Sequence, residues 1–295
     1  MQGQRRVYFY AVSAVVIWST TAALVKSLLT AIPTFEALFL STLAASLFLL
    51  AVQLVRDGGR IFRIYDIRGY AAMAGLGFLG LFLYSGLYYY GLSQLTSQEA
   101  CILNFLWPMM IVLFAALLLG ERITLRTAVA LLLSFSGVVV LTLGGEGSAE
   151  GNGMLGAAAC ILAALCYGLF CVLNKRRNID QTVMMIMAWG TTAFCSLPVT
   201  LLMEEWVTPM WTQWLGLLWL GVFIDAVGYL WWAMALQEAR DAATVANLAY
   251  AVPLLSLVVS AAALGEEMSG AAFGALILIM GGILLQSVRR GRKSG

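Results

Sequence analysis

The chain is cut into apolar stretches of about 20 residues, the length an α-helix needs to cross some 30 Å of hydrocarbon. Ten can be marked, at 7–28, 35–55, 70–91, 98–119, 125–144, 153–174, 183–203, 213–236, 242–264 and 270–288. The joints between them are short and hold Gly, Pro and charge, so none is long enough for a folded extramembrane domain. Lipid offers backbone groups no water partner, which leaves the helix as the element for segments of this length. The expected fold is an all-α membrane protein of ten transmembrane helices, with its function inside the bundle.

Composition agrees. Of the 295 residues, 62% are hydrophobic and 11% charged, and average soluble domains carry roughly twice that share of charge. A soluble enzyme, a disordered chain and a nucleic-acid-binding module are all excluded on this ground. The five cysteines, at 101, 160, 166, 171 and 195, lie inside apolar runs and read as small core residues. Neither zinc-site spacing nor an ATP-binding motif occurs, and no cofactor is expected. With no histidine in the chain, any proton coupling has to use a carboxylate.

Cations sort to one side of the ten spans. With both termini in the cytoplasm, all but Lys26 of the 17 Lys and Arg residues face inward, while outer joints such as Glu204-Glu205 and Glu266-Glu267 carry acid and no base. The expected location is the cell inner membrane. The first span, preceded by Arg5 and Arg6, has the look of a secretory signal, but the repeat described next gives it a counterpart and argues against cleavage.

A shift of 145 positions lays Pro108 on Pro253, Gly120-Glu121 on Gly265-Glu266, Thr124 on Ser269, Leu131 on Leu276 and Gly137 on Gly282. One motif, P-x11-G-E-x2-[ST], therefore occurs twice. A shift of 149 lays Trp18 on Tyr167 and Lys26 on Lys175. Each half, 1–147 and 148–295, holds five spans, so the second half enters from the opposite face and the two form an inverted repeat. The Glu of the motif falls at a helix carboxyl end, where the macrodipole disfavours it, and Thr124 or Ser269 can cap the helix that follows. A role in helix-joint geometry is favoured over substrate contact.

These residues resemble the ten-helix EamA branch of the drug/metabolite transporter superfamily, over the whole chain: Trp18-Ser19 followed by Lys26, and both copies of P-x11-G-E. Softer similarity points, within that branch, to bacterial exporters of aromatic amino acids. The resemblance implies export by alternating access. It also implies a central cavity walled by spans 1, 3, 4, 6, 8 and 9, with spans 5 and 10 packed together behind. Gly270 and Gly274, with Ala271 and Ala275, suit such close packing, and equally a dimer face; a monomer is the working expectation.

Proline inside a helix leaves the carbonyl four residues earlier without its amide, here those of Asn104 and Ala249. Such groups must be buried in protein or face a wet cavity, so Pro108 and Pro253 are expected to mark helix breaks at the bundle axis. Candidate substrate-binding residues cluster around them at helical spacing: Asn104 and Trp107 in span 4, Asn247 and Tyr250 in span 9, Asp225, Tyr229 and Trp232 in span 8. Trp18 matches Tyr167, Tyr84 matches Tyr229, and Asn174 lies two turns beyond Tyr167 as a polar gate. Each aromatic could equally belong to an interfacial belt.

Asp225 is read as the one carboxylate well inside a span, where a charge costs about 2.5 to 3.5 kcal/mol on insertion scales. A substrate ammonium, a proton and a structural hydrogen bond are all open as its partner. Gly80 stands at the matching position. Glu99 and Lys26, near span ends, are expected to snorkel. The expected activity is secondary export of aromatic or large neutral amino acids, with efflux of lipophilic drug cations as the alternative and the lipid bilayer as the only other partner.

Overall fold

The computed structural model describes residues 2–120, 125–144, 152–177, 179–238 and 247–287. Among them every regular element is helical. Seven helices are long and apolar enough to cross a membrane: Arg5–Leu28, Thr34–Asp57, Ile67–Gln94, Ser97–Leu118, Gly153–Asn174, Gln181–Met203 and Trp211–Trp232. Three shorter apolar helices, Ala128–Val140, Ala251–Leu264 and Gly270–Leu285, account for the remaining marked stretches. Large side chains such as Phe194, Leu201, Leu202 and Trp211 stand exposed on the outside of the bundle, as lipid-facing residues do and water-facing ones rarely do in such density. The chain is a multi-pass membrane protein. Glu121 and Thr124 of the first motif copy, the cations Arg122, Arg240, Arg289, Arg290, Arg292 and Lys293, and the joint at 145–150 lie outside the described residues.

In chain order the helices are α1 (Gln2–Ser19), α2 (Thr21–Leu28), α3 (Thr34–Asp57), α4 (Ile67–Gly77), α5 (Tyr84–Gln94), α6 (Ser97–Asn104), α7 (Trp107–Leu119), α8 (Leu125–Gly144), α9 (Gly153–Lys175), α10 (Gln181–Met203), α11 (Trp211–Leu218), α12 (Tyr229–Glu238), α13 (Ala251–Leu264) and α14 (Gly270–Ser287). Phe78–Leu83 and Trp219–Gly228 are wider π-helical turns that join α4 to α5 and α11 to α12. Local chemistry sets the ends. Asp66 accepts from the Gly69 amide, Asp180 from those of Thr182 and Val183, and Thr96 with Glu99 closes a reciprocal cap on α6.

The repeated motif spells a half-helix. Pro108 sits in the first turn of α7, where a missing N–H costs nothing, and Gly120 ends that helix in the left-handed conformation with φ 70°. Pro253 stands in the first turn of α13, and Gly265 follows it with φ 68°. The next residue, Glu266, turns away from its own helix end. Its carboxylate accepts from the Ser97 amide at 2.9 Å and the Ser97 hydroxyl at 2.8 Å, capping α6, where the helix dipole favours negative charge. Glu204 does the same for α3, accepting from the amides of Phe35 at 2.9 Å and Glu36 at 3.0 Å. Ser269 caps α14 through the Ala272 amide.

Three sequence expectations need correction. Asp225 is not alone as a buried acid: Glu36 and Glu99 are buried as well, because each lies in the first turn of a helix whose start is enclosed by its neighbours. Glu36 accepts from the Val207 amide at 2.9 Å. Lys26 and Glu99 do not snorkel. The Lys26 ammonium donates to the carbonyls of Leu92 and Leu95 at 2.7 and 2.6 Å, covering the end of α5, and Glu99 is held by Thr96. Finally, α8 and α14 do pack closely, but not through Gly270 and Gly274: nothing lies within 4 Å of a Cβ placed on Gly270, and only Val140 within that range of one on Gly274. The close approach is at Gly137, against Ala275 and Ile279, and reciprocally at Gly282, against Ala130 and Ser134.

Candidate functional site

A cavity with about 800 Å³ of empty space, its open side included, lies where irregular stretches of several helices meet. Each wall owes its shape to a local departure from α-geometry. Between α1 and α2 the hydroxyls of Ser19 and Thr20 donate to the carbonyls of Val16 and Ile17, both at 2.7 Å, which bends the span just beyond Trp18. Between α6 and α7 the chain turns at Phe105 and Leu106, immediately before Pro108. The two π-helical turns deliver Tyr84 and Tyr229 as the first residues of α5 and α12. They sit 145 positions apart, on the same shift that relates the prolines.

Aromatic rings make half of the described lining. Tyr167 is central, with ring centroids 4.9 Å from Tyr84, 5.4 Å from Trp107 and 6.4 Å from Tyr229. Tyr229 in turn packs against Trp18 at 5.1 Å and Trp189 at 5.5 Å. Four of the polar atoms at the cavity are unpaired. Asn104 donates through Nδ2 to the Tyr84 hydroxyl at 3.1 Å, while its Oδ1 has no partner. Trp18 Nε1, Trp189 Nε1 and Asp225 Oδ2 are also buried without a hydrogen bond. A buried polar atom left unpaired is costly, and four of them around one cavity describe an interior prepared for something with donors and acceptors of its own.

A profile of the EamA-like transporter family matches the chain twice, over residues 5–143 and 154–288. The chain belongs to the EamA-like transporter family. Among curated relatives, the aromatic amino acid exporter YddG of Ancylobacter novellus is 30% identical over 275 residues, covering 92% of this chain and 93% of that one. The uncharacterized transporter YvbV of Bacillus subtilis is 25% identical, over 93% and 89%, and a probable terminal-alkyne amino-acid exporter of Streptantibioticus cattleyicolor is 26% identical over 64% of each chain. A solved crystal structure superposes with a TM-score of 0.68 at 28% identity, covering 95% of this chain and 96% of the other. The EamA relatives are membrane transporters, which implies a small-molecule substrate.

Of the residues singled out from sequence, Trp18, Tyr84, Asn104, Trp107, Tyr167, Asp225 and Tyr229 line the cavity of this EamA protein. Trp232 does not: it packs behind Trp18, with ring centroids 5.4 Å apart. Asn174 is away from the lining too, its Nδ2 donating to Gln181 at 3.0 Å. Asn247 and Tyr250 belong to a short 3-10 turn before α13 and their side chains are outside the described set, but Ala249 and Val252 from this stretch reach the cavity. Pro108 and Pro253 shape the walls without lining them. Sequence reasoning missed Tyr88, Tyr89 and Trp189. Tyr88 was findable, being one helical turn beyond Tyr84. Trp189 carried no signal, since span 7 was placed outside the wall.

Proposed function

We propose that the protein is a secondary transporter that exports aromatic or large neutral amino acids. The observation that carries this reading is the pairing of an aromatic cavity with a few unsatisfied polar atoms: the rings of Tyr84, Trp107, Tyr167 and Tyr229 suit a large apolar side chain, and the free acceptors and indole donors suit a zwitterionic end. Similarity to an aromatic amino acid exporter points the same way. Asn247 would join Asn104 at the polar end.

The architecture that goes with this reading is ten spans in two inverted five-helix repeats, 1–147 and 148–295, with both termini cytoplasmic. It is supported by the double family match and by the reciprocal contact of Gly137 and Gly282. Rocking of one half against the other would expose the cavity to each side in turn. The second reading, efflux of lipophilic cations, draws on one observation, the acid Asp225 among aromatic faces.

Flux into proteoliposomes of labelled tryptophan, phenylalanine, threonine and a quaternary amine, side by side, tests both. Faster movement of the aromatic amino acids is expected. Movement of the quaternary amine alone would replace the first reading with the second.

A further inference from the structure

Among the described residues, Asp225 is the single formally charged side chain in the cavity lining. It is 6% exposed and its Oδ2 has no hydrogen-bond partner. No described lysine or arginine lines the same space; the cation of the first span, Lys26, is held by the carbonyls of Leu92 and Leu95. A carboxylate so placed has no compensating cation among the described residues of the lining, and a lone charge in a low-dielectric interior is among the most expensive groups a fold can hold.

The two halves differ at this position. Gly80, 145 positions before Asp225, lies under Phe170, whose ring would collide with any side chain there. The first half therefore has no room for a second acid, although the flanking Tyr84 and Tyr229 correspond. The described lining carries one acid, on the α11–α12 side, within a surround of electron-rich rings that attract cations through their faces.

Resting on the amino-acid reading above but going beyond it, we infer that Asp225 is the docking point for the substrate's ammonium group, so that a free protonated amine is what admits a compound to transport. The ammonium supplies the missing counter-charge and three donors, against the two free acceptors that the cavity offers, Asp225 Oδ2 and Asn104 Oδ1. The rest of the molecule meets the rings. Selection then acts on the amine first and on the aromatic body second. A carboxylate on the substrate is tolerated, not required, and the Trp18 and Trp189 indoles are the groups free to donate to it.

The test is competition against labelled-tryptophan uptake into proteoliposomes holding the unaltered protein, with tryptamine, tryptophan methyl ester, N-acetyltryptophan and indole-3-propionate as unlabelled competitors, and labelled tryptamine as a second substrate. The first two compounds are expected to compete, and the two that lack an ammonium to do so more weakly by roughly 10- to 100-fold, the loss typical of an ionic hydrogen bond. Asp225→Asn should erase the advantage of the amines by a similar factor, with Asp225→Glu restoring part of it. Equal competition by N-acetyltryptophan overturns the assignment while leaving amino-acid export intact. Uptake of labelled tryptamine with none of tryptophan overturns the amino-acid reading and upholds the role of Asp225. Because the competitor series uses the unaltered chain, misfolding of a variant does not blunt it.

Discussion

Glu266 and Ser97 are joined twice, through the Ser97 amide and the Ser97 hydroxyl, and that hydroxyl oxygen in turn accepts from the Ser260 hydroxyl at 2.7 Å. The acid that ends one helix thereby starts another. Glu204 repeats the arrangement at α3. In both cases a carboxylate from the second half of the chain covers amides at the start of a first-half helix, which adds backbone capping to the side-chain packing between the halves.

Glu266→Ala is expected to destabilise the protein by about 1 to 3 kcal/mol, the range of a lost charged cap. Glu266→Gln, which keeps an acceptor, should lose less. The midpoint of thermal unfolding of the detergent-purified protein orders the three forms, and equal midpoints would remove the cap from the account of stability.

Lys26→Met should cost about 1.5 to 3 kcal/mol by leaving the Leu92 and Leu95 carbonyls without their charged donor. Lys26→Arg should recover part of the loss. A methionine variant as stable as the parent would show that the ammonium is not needed there.

Gly137→Val presses a branched side chain into the space taken by Ala275 and Ile279, and overpacking of this kind costs about 1 to 3 kcal/mol. Gly270→Ala, with nothing inside 4 Å of the new Cβ, should leave folding unchanged. Yield of monodisperse protein on size exclusion separates the two.

Asn104→Leu removes the bond to Tyr84 and one free acceptor from the cavity, and should weaken substrate affinity by roughly tenfold. Asn174→Leu should leave affinity unchanged, since Asn174 reaches Gln181 and not the lining. Saturation curves for tryptophan uptake read both; a shift for Asn174 alone would move the polar site toward the end of α9.

Much of the fold can be read from the chain because its strongest signals are one-dimensional. Hydropathy marks the spans, and proline and glycine at fixed separation mark where α7 and α13 begin and end. The π-helical turns at Phe78–Leu83 and Trp219–Gly228 are invisible by contrast, since a change from i→i−4 to i→i−5 bonding alters no residue type. Glu99 and Lys26, expected to snorkel, are held inside for a related reason. Their distance from a span end says nothing about which neighbouring helix covers them. At the cavity, spacing along one helix found Asn104 with Trp107, and Asp225 with Tyr229. It also proposed Trp232 and Asn174, because periodicity gives a shared face but not what that face meets.

The clasp of Gly137 and Gly282 has a consequence for how such a chain can diverge. Each glycine is approached by residues of the other half, so a bulkier residue in either copy is felt at once by its twin's helix. Asp225 and Gly80 differ at the cavity, whereas at this seam a larger residue in one copy needs room made for it in the other, which keeps both positions small.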